Sequence, residues 1–574
     1  MEVRSRGITP SGHSMMVTFE GQPLRVRESR SVAAALTDAG IVAFRHSAAS
    51  DRGLFCGMGV CGECRVSIDG HDGELACMTP VREGMEIDMQ PFLPQPQLAS
   101  VVPGRLSDPC PEQVIETEVL VLGAGPAGLS AGLAAARAGA DVVVVDERAA
   151  AGGQYYKQPA SSFAVDAARI DRQYRVGRAL IDEARSSSLT LLLGTQVWGA
   201  KDAGELYAVQ GTSQLTIRPQ RLILAAGAYE RVVPFSGWTL PGVMTTGAGQ
   251  TLLRSYQISP GQRVLVAGNG PLNMQFAAEL ARAGAVVVAV VESSVPTSVR
   301  HGLDLARAAI ASPSLVWNGL GYVATLKRAR VPLLTGSVMV RAFGSGRVTG
   351  AAVARIGRDG SVDRSSERLF EVDAVCVGYG FMPGNEMARL LGVRYSVDPV
   401  SGGCTVDCTS SGRTSIPEIW TVGDNAAIQG AKVAQAAGSV AGLEAATSLG
   451  HRAVSATAPE RNLRRHRRFQ TAMWRIYQGA PLSDQLVDAD TVICRCESVS
   501  LGTIDEALTD SSTVGAVKRL TRAGMGHCQG RFCGPFIMQR AARKSGTQID
   551  AKSGFAPQPP VRPTAVGAIR ASGL

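Results

Sequence analysis

Eight of the twelve cysteines in this chain fall into two groups whose spacing suits metal chemistry. In FCGMGVCGEC, Cys56, Cys61 and Cys64 stand at C-x4-C-x2-C, and GELACMTP adds Cys77 after twelve intervening residues. Four thiolates so arranged are the ligand set of a 2Fe-2S cluster. A structural zinc ion accepts the same donors and a disulfide pair uses the same sulfurs, so both stay open as alternatives. Gly57, Gly59 and Gly62 favour the cluster, because a loop wrapped around it must bring backbone N–H groups near the sulfurs without obstructing side chains. Near the other end, VICRCESVS supplies Cys494 and Cys496, and GMGHCQGRFC supplies Cys528 and Cys533, giving C-x-C-x31-C-x4-C. This set predicts a second 2Fe-2S site, again with zinc as the alternative.

Each group needs a scaffold. VTFEGQPLRV reads as two short strands around a Gly-Gln turn, SVAAALTDAG as a helix, and CRVSIDG as a strand leaving the cysteine loop. That order resembles the β-grasp fold of a small ferredoxin. At the other end, one cysteine pair opens the helix LGTIDEAL and the second follows the helix GAVKRLTRA. The unit resembles the bacterioferritin-associated-ferredoxin type, with its last pair spaced more widely than is usual there.

Between the cysteine groups lie two nucleotide-binding patterns. In ETEVLVLGAGPAGLSAGLAAARAGADVVVVDER, a buried strand ends at Gly123. Gly125 lets the backbone approach a pyrophosphate, and Pro126 and Ala127 open a helix. Gly128 allows close helix–strand packing, and the next strand ends in Asp146 and Glu147, placed for a ribose hydroxyl. The helix N-terminus would face the phosphates. Gly153 and Gln154 follow in AAGGQYY, as in flavoproteins with two dinucleotide domains. The second pattern, QRVLVAGNGPLNMQFAAELARAGAVVVAVVES, keeps Gly268 and Gly270 but has Asn273 at the third glycine position. Glu292 ends its second strand and would suit a ribose better than a 2′-phosphate, so NAD rather than NADP, or another adenine nucleotide. The competing reading is a repeat kept for architecture, with no nicotinamide bound.

The segments AAGAYERVVPFSGWTLPGV and EIWTVGDNAAIQGAKVAQAAGSVAG complete a resemblance to the glutathione-reductase architecture over about 110–450, an NAD-like domain inserted in an FAD domain. It implies that Gly227, Gly423 and Asp424 reach the FAD, and Val197 joins that set. No cysteine lies between Cys110 and Cys376, so the reactive pair of a disulfide reductase is missing. Cys376, in the apolar run AVCVGYG, reads as core, and Cys404 and Cys408 carry no derivable role.

A chain of 574 residues implies roughly three or four domains. Sixty-five glycines without a period favour nucleotide-binding loops over disorder. The uncharged run from Val119 has about 18 residues, near the lower limit for a membrane span, but its glycines and proline suit strand, turn and buried helix better. The start MEVRSRGITPSGHSMM shows no apolar signal region, which predicts a cytoplasmic protein, with membrane contact through a partner as the alternative. Net charge is +9, and RNLRRHRRFQ is the densest basic stretch, read as a solvated helical face or a partner-docking surface rather than a nucleic-acid site.

Taken together, AAGAYERVVPFSGWTLPGVMTTGA, GMGHCQGRFC and CGMGVCGEC resemble one family over nearly the whole chain. These are the flavoprotein subunits of hydrogen cyanide synthase and of opine, proline and D-hydroxyproline dehydrogenases, with related regions in heterotetrameric sarcosine oxidase. The expected fold is α/β, a two-dinucleotide-domain flavoprotein flanked by the two cluster domains. Its divisions are ferredoxin 1–95, linker 96–112, FAD domain 113–250 and 371–450, inserted NAD-like domain 251–370, helical segment and second cluster domain 451–552, and a Pro-rich tail 553–574. The resemblance implies an FAD and iron–sulfur electron-transfer subunit that works beside an amino-acid-oxidase-like FAD subunit. It also implies FMN at that interface and quinone, oxygen or a carrier protein as acceptor. No catalytic acid–base residue is assigned. Two rivals are an NAD(P)H-dependent reductase that stands alone and a non-enzymatic redox sensor.

Overall fold

The computed structural model describes residues 1–92, 112–398, 401–564 and 569. The linker expected over 96–112 lies outside these except for its last residue, as does the tail from 565 onward apart from Ile569.

The first cysteine loop hangs from a five-stranded sheet ordered Gln22–Arg27, Ser14–Phe19, Glu86–Met89, Arg65–Ile68, His71–Leu75. Glu20 and Gly21 turn the first hairpin with φ of 49° and 71°, the left-handed pair whose twist matches that of the strands. The helix Val32–Asp38 starts where the Ser31 hydroxyl accepts the Ala34 N–H, and its apolar residues are buried. Residues before the sheet bind the domain to the rest of the molecule. Ile8–Pro10 pairs with Phe163–Val165, the Val3 N–H donates to the Gln257 carbonyl at 3.0 Å, and the Ser259 N–H donates to the Met1 carbonyl at 3.0 Å.

The flavoprotein body begins with parallel strands Thr190–Leu193, Val142–Asp146, Glu112–Leu122 and Ser213–Leu224. Glu205–Gln210 and Thr195–Asp202 extend this sheet as an antiparallel meander, and Ile419–Thr421 pairs with the end of Ser213–Leu224. The helix Pro126–Ala138 crosses the helix Ala431–Thr447 at very short range. A Cβ on Gly438 or Gly442 would lie 2.1 Å from the carbonyl oxygen of Ala127 or Ala131, so glycine is what lets these backbones meet.

A second parallel sheet is ordered Val243–Thr245, Ala374–Gly378, Arg263–Gly268, Val286–Glu292, Leu333–Thr335, with an antiparallel sheet Ser337–Phe343, Gly350–Ile356, Val362–Glu371 beside it. The boundaries expected at 251 and 370 are therefore too narrow, since Val243–Thr245 and Ala374–Gly378 belong to this sheet. They are three- and five-residue apolar strands, and nothing in such short runs tells which neighbouring sheet they join. The crossing point is the pair Ala228–Glu230 and Phe381–Pro383.

After the helix Thr457–Ile476, the strands Val492–Cys494 and Val499–Ser500 lead into helices Leu501–Asp510, Val514–Thr521 and Gly534–Ser545 around a small core of their own. The chain then returns to the flavoprotein body, where the Val561 N–H donates to the Trp198 carbonyl at 2.7 Å and Gln196 donates to the Pro563 carbonyl at 2.9 Å.

Candidate cofactor sites

Cys56, Cys61, Cys64 and Cys77 are all buried. The loop that carries three of them turns inward because Gly57, Gly59 and Gly62 take φ of 61°, 76° and 67°, a region costly for other residues. Amides then face sulfur, with the Cys61 N–H directed at the Cys56 sulfur and the Glu63 N–H at the Cys61 sulfur, each at 3.4 Å. Burial pushes the Cys56 thiol up, but contact with Cys61 and the amides of Met58, Val60 and Cys61 bring it down to about 7. The thiols group two by two, Cys56 with Cys61 and Cys64 with Cys77.

The C-terminal set repeats the arrangement. Cys494 meets Cys533 and Cys496 meets Cys528, and each contact favours one thiolate, so Cys494 and Cys528 are lowered while their partners are raised. A single zinc ion draws four ligands to one point, whereas a binuclear iron cluster takes its protein ligands in pairs. Among the described residues no three Cys, His, Asp or Glu side chains close on one ion-sized point.

The structure also brings the two sets together. The Cys496 sulfur is 3.7 Å from the Cys61 carbonyl oxygen, and a narrow cavity is lined by Cys61, Glu63, Cys494, Arg495, Cys496 and Cys528. A Cβ on Gly62 would lie 2.6 Å from the His527 ring, so the two loops are in direct contact.

The first dinucleotide unit forms a cradle suited to a large anionic cofactor. A Cβ on Gly128 would lie 1.7 Å from the Gly123 carbonyl oxygen, and one on Gly153 would lie 2.8 Å from the Gly125 Cα. Gly423 abuts Ala127 and Ala434, and the Asp424 carboxylate accepts the Gln429 and Gly430 N–H groups at 2.8 Å each. Gln154 is half-buried beside Gly153, Gly227 has φ of 72° in the crossing segment, and Val197 packs in the strand Thr195–Asp202. Asp146, expected at a ribose, accepts the Ala124 and Arg148 N–H groups at 2.7 and 2.9 Å. Its short side chain braces the glycine loop. Glu147, half-buried and 3.5 Å from Arg562 of the returning tail, is the acid left facing outward.

The second unit does not fit a nucleotide in the same way. Glu292, expected to meet a ribose, is 1% exposed, and it accepts the Gly270 N–H at 2.8 Å and the Ser294 N–H at 2.9 Å. The Asn269 N–H is taken by the Gly378 carbonyl at 2.7 Å. Asn273 donates to the Gly378 carbonyl at 2.8 Å and accepts from the Thr246 hydroxyl at 2.7 Å. Gly479, from the segment after Thr457–Ile476, stands over the loop, where a Cβ would meet the Asn269 side chain at 3.0 Å. Gly268, Gly270 and Glu292 thus lie in a loop whose amides are already taken up by this chain's own oxygens. A longer acid and a covering segment turn the loop's donors inward.

Some residues near the cofactor sites escaped sequence reasoning. Lys157 and Glu230 are both buried on either side of Gly247. Lys157 donates to the Gly247 carbonyl at 3.2 Å, and the Glu230 carboxylate accepts the Gly247 N–H at 2.9 Å. Burial pushes the lysine down and the carboxyl up, beside the first cysteine loop, whose Gly57 touches Ala248. Their neighbours in sequence, QYYKQ and GAYERV, carry no signal of this pairing. Cys376, by contrast, is fully buried in its strand, and burial raises its thiol, as a core residue requires.

The chain is 33% identical over 443 residues to hydrogen cyanide synthase subunit HcnB of Pseudomonas aeruginosa, covering 74% of this chain and 93% of that one. It belongs to that family. A subunit of opine oxidase from Rhizobium meliloti is 29% identical over 460 residues, 79% of this chain and 98% of that one. The alpha subunit of sarcosine oxidase from a Corynebacterium is 32% identical over 286 residues, 47% of this chain and 27% of that one. Residues 13–91 match a 2Fe-2S iron-sulfur cluster binding domain, 117–310 the pyridine nucleotide-disulphide oxidoreductase family, and 492–539 a BFD-like 2Fe-2S binding domain. The fold is shared with L-proline dehydrogenase from P. horikoshii, with a TM-score of 0.71 at 20% identity over 97% of this chain and 98% of that one. A member of the HcnB family is thus an FAD-dependent oxidoreductase of the class acting on C–N bonds, its flavoprotein fold set between two 2Fe-2S domains. No helix among its described residues is long and apolar enough to cross a membrane.

Proposed function

We propose that the chain is the electron-transfer subunit of a heteromeric dehydrogenase of amines or amino acids. A partner flavoprotein of the amino-acid-oxidase type oxidises the substrate and hands the electrons on. The observation that carries this reading is the contact of the two cysteine sets with each other and, through Gly57 and Ala248, with the flavoprotein body. In this reading Cys56, Cys61, Cys64 and Cys77 hold one 2Fe-2S cluster, and Cys494, Cys496, Cys528 and Cys533 hold the other. Gly123, Gly125, Gly128, Glu147, Gly153, Gln154, Gly423 and Asp424 receive the FAD, with Asp146 bracing the glycine loop.

Bound FAD takes up electrons in pairs and releases them singly, and each cluster carries one. The chain's own residues exclude water from that route. Phe55 packs edge-on against Trp238 and against Phe532, each at 5.7 Å, between the two cysteine sets.

Relatives named as subunits support a partner: hydrogen cyanide synthase subunit HcnB, the alpha subunit of sarcosine oxidase and a subunit of opine oxidase. We assign to it the exposed apolar side chains of Leu303, Ile310, Trp317 and Leu320 on helices Gly302–Ala311 and Pro313–Arg328, a patch that water alone does not favour. The substrate would contact the partner rather than this chain, and the complex would work in the cytoplasm.

The test is anaerobic. Glycine, an opine, a proline derivative and an N-methyl amino acid should leave the flavin of the purified chain oxidised, and one of them should bleach it once the co-expressed partner is present. Bleaching of the isolated chain by any of these amines would refute the subunit reading. Cys61→Ser should remove one cluster's EPR signal and spare the flavin; loss of the flavin with both clusters retained would refute the ligand assignment.

A further inference from the structure

Glu63 sits between the ligand positions Cys61 and Cys64, and Arg495 between Cys494 and Cys496. Their side chains meet across the seam, with Arg495 Nε 2.9 Å from the Glu63 carboxylate. Arg45 reaches the same carboxylate at 2.5 Å and Arg52 lies at 3.6 Å, while the Arg52 guanidinium also donates to the Ser498 hydroxyl at 3.3 Å. All four side chains are at most 4% exposed. The Arg495 guanidinium is held between the rings of Phe55 at 4.0 Å and Trp238 at 4.8 Å, and it donates to the Trp238 carbonyl.

Three guanidiniums around one carboxylate leave the group cationic. Arg65 adds a further cation, donating to the Gly62 carbonyl at 3.0 Å within the cysteine loop. Stability does not account for the arrangement, because apolar residues of equal volume usually serve a buried interface as well as an ion network does. Electrostatics does. A 2Fe-2S cluster on four thiolates is anionic, reduction makes it more so, and fixed cations in a water-poor seam favour the added electron strongly.

We propose that the Glu63–Arg495 pair is a bridge between the two iron–sulfur sites, through which an electron passes directly from one cluster to the other, and that its surplus of arginine raises the reduction potential of both. The proposal rests on reading both cysteine sets as clusters. In the step, one cluster loses an electron and is oxidised, and the other gains it and is reduced; no bond forms or breaks. The electron enters as one of the pair delivered by the flavin and leaves to a one-electron carrier protein. Glu63 and Arg495 act as positioning residues.

The experiment is a potentiometric dithionite titration of the full chain with its cofactors, followed by EPR, with iron and sulfide counted beforehand. The unaltered chain should show mutually split or broadened signals when both clusters are reduced. In Arg495→Gln, the ratio of reduced to oxidised cluster at a fixed potential should fall at least tenfold, a shift of 59 mV for a one-electron couple. Arg495→Lys should recover most of that loss, and Glu63→Gln should move the ratio the other way. Independent, unsplit signals, or a shift of the same sign in Arg495→Gln and Glu63→Gln, would overturn the bridge. If either variant loses its clusters, the spin coupling of the unaltered chain decides. Iron and sulfide for fewer than two clusters would overturn the reading beneath the proposal, which separates the two failures.

Discussion

In the dinucleotide unit that begins at Glu112, the acid ending the second strand is Asp146; in the unit that begins at Arg263 it is Glu292. Asp146 reaches the amide of Ala124, the residue between the first two glycines, and the Gly125 N–H has no partner among the described residues. Glu292 is one methylene longer and reaches past that position to the Gly270 N–H, the amide a pyrophosphate would otherwise use. Both helices begin with Gly-Pro, but the cap glycines differ, Gly125 extended at φ −81° and Gly270 at φ 107°. The third glycine position then divides them. At Gly128 the helix lies against the strand, whereas Asn273 holds its loop to Gly378 and Thr246 through its amide. One local plan places its loop donors differently in the two units, and the deciding atoms lie in side chains of nearly the same type.

The contrast breaks most visibly at the glycine. Gly128→Val should cut the flavin-to-protein absorbance ratio at least tenfold, because its Cβ would overlap the Gly123 carbonyl. Asn273→Gly should leave that ratio unchanged and cost about 1–3 kcal/mol in denaturant unfolding for the lost buried hydrogen bonds. Next, millimolar NADH added anaerobically should leave flavin absorbance and cluster EPR unchanged while dithionite reduces both. Rapid bleaching would show that the second unit works as the first does. Sharpening the comparison, Glu292→Asp combined with Tyr477→Ala, which truncates a buried tyrosine two residues before Gly479 in the covering segment, should free the Gly270 amide and loosen the cover, so that ADP binding becomes measurable by calorimetry. The unaltered chain should give no heat. The smallest effect is in pH. Burial raises the Glu292 carboxyl to about 6, so its neutral form is favoured in the folded state. That contribution is complete below the ordinary glutamate value near 4.5 and lost as pH rises through 6, about 2 kcal/mol in all, and Glu292→Gln should remove it from the stability–pH curve.

The eight clustered cysteines and the first glycine fingerprint were legible because both depend on spacing along the chain. The β-grasp order and the helical C-terminal unit followed from short local patterns around those cysteines. The limits of the inserted domain were not, since Val243–Thr245 and Ala374–Gly378 join their sheet through partners far away in sequence. The surroundings of Glu292 were hidden for a related reason. Its position on the strand is that of a ribose ligand, but the loop beside it is met by Gly479, more than a hundred residues later, which faces Asn269 and Ser293. The Glu63–Arg495 contact did leave a trace. A charged residue between two buried ligands must find a counter-charge, and each cysteine motif contains one of opposite sign. The glycines of AAGSVAG were quoted for the FAD domain, yet their use in bringing Gly438 and Gly442 onto Ala127 and Ala131 depends on which helix they meet.

The strand Ile8–Pro10 and the residues before it are threaded onto the flavoprotein body on the far side of the sequence from the linker that follows the ferredoxin domain. A domain fastened ahead of its fold as well as docked at its cysteine loop has no free arm on which to swing. On the proposed electron-transfer reading the domain would be a fixed relay rather than a shuttle, and electron passage between the two cysteine sets within the chain should be indifferent to the viscosity of the solvent.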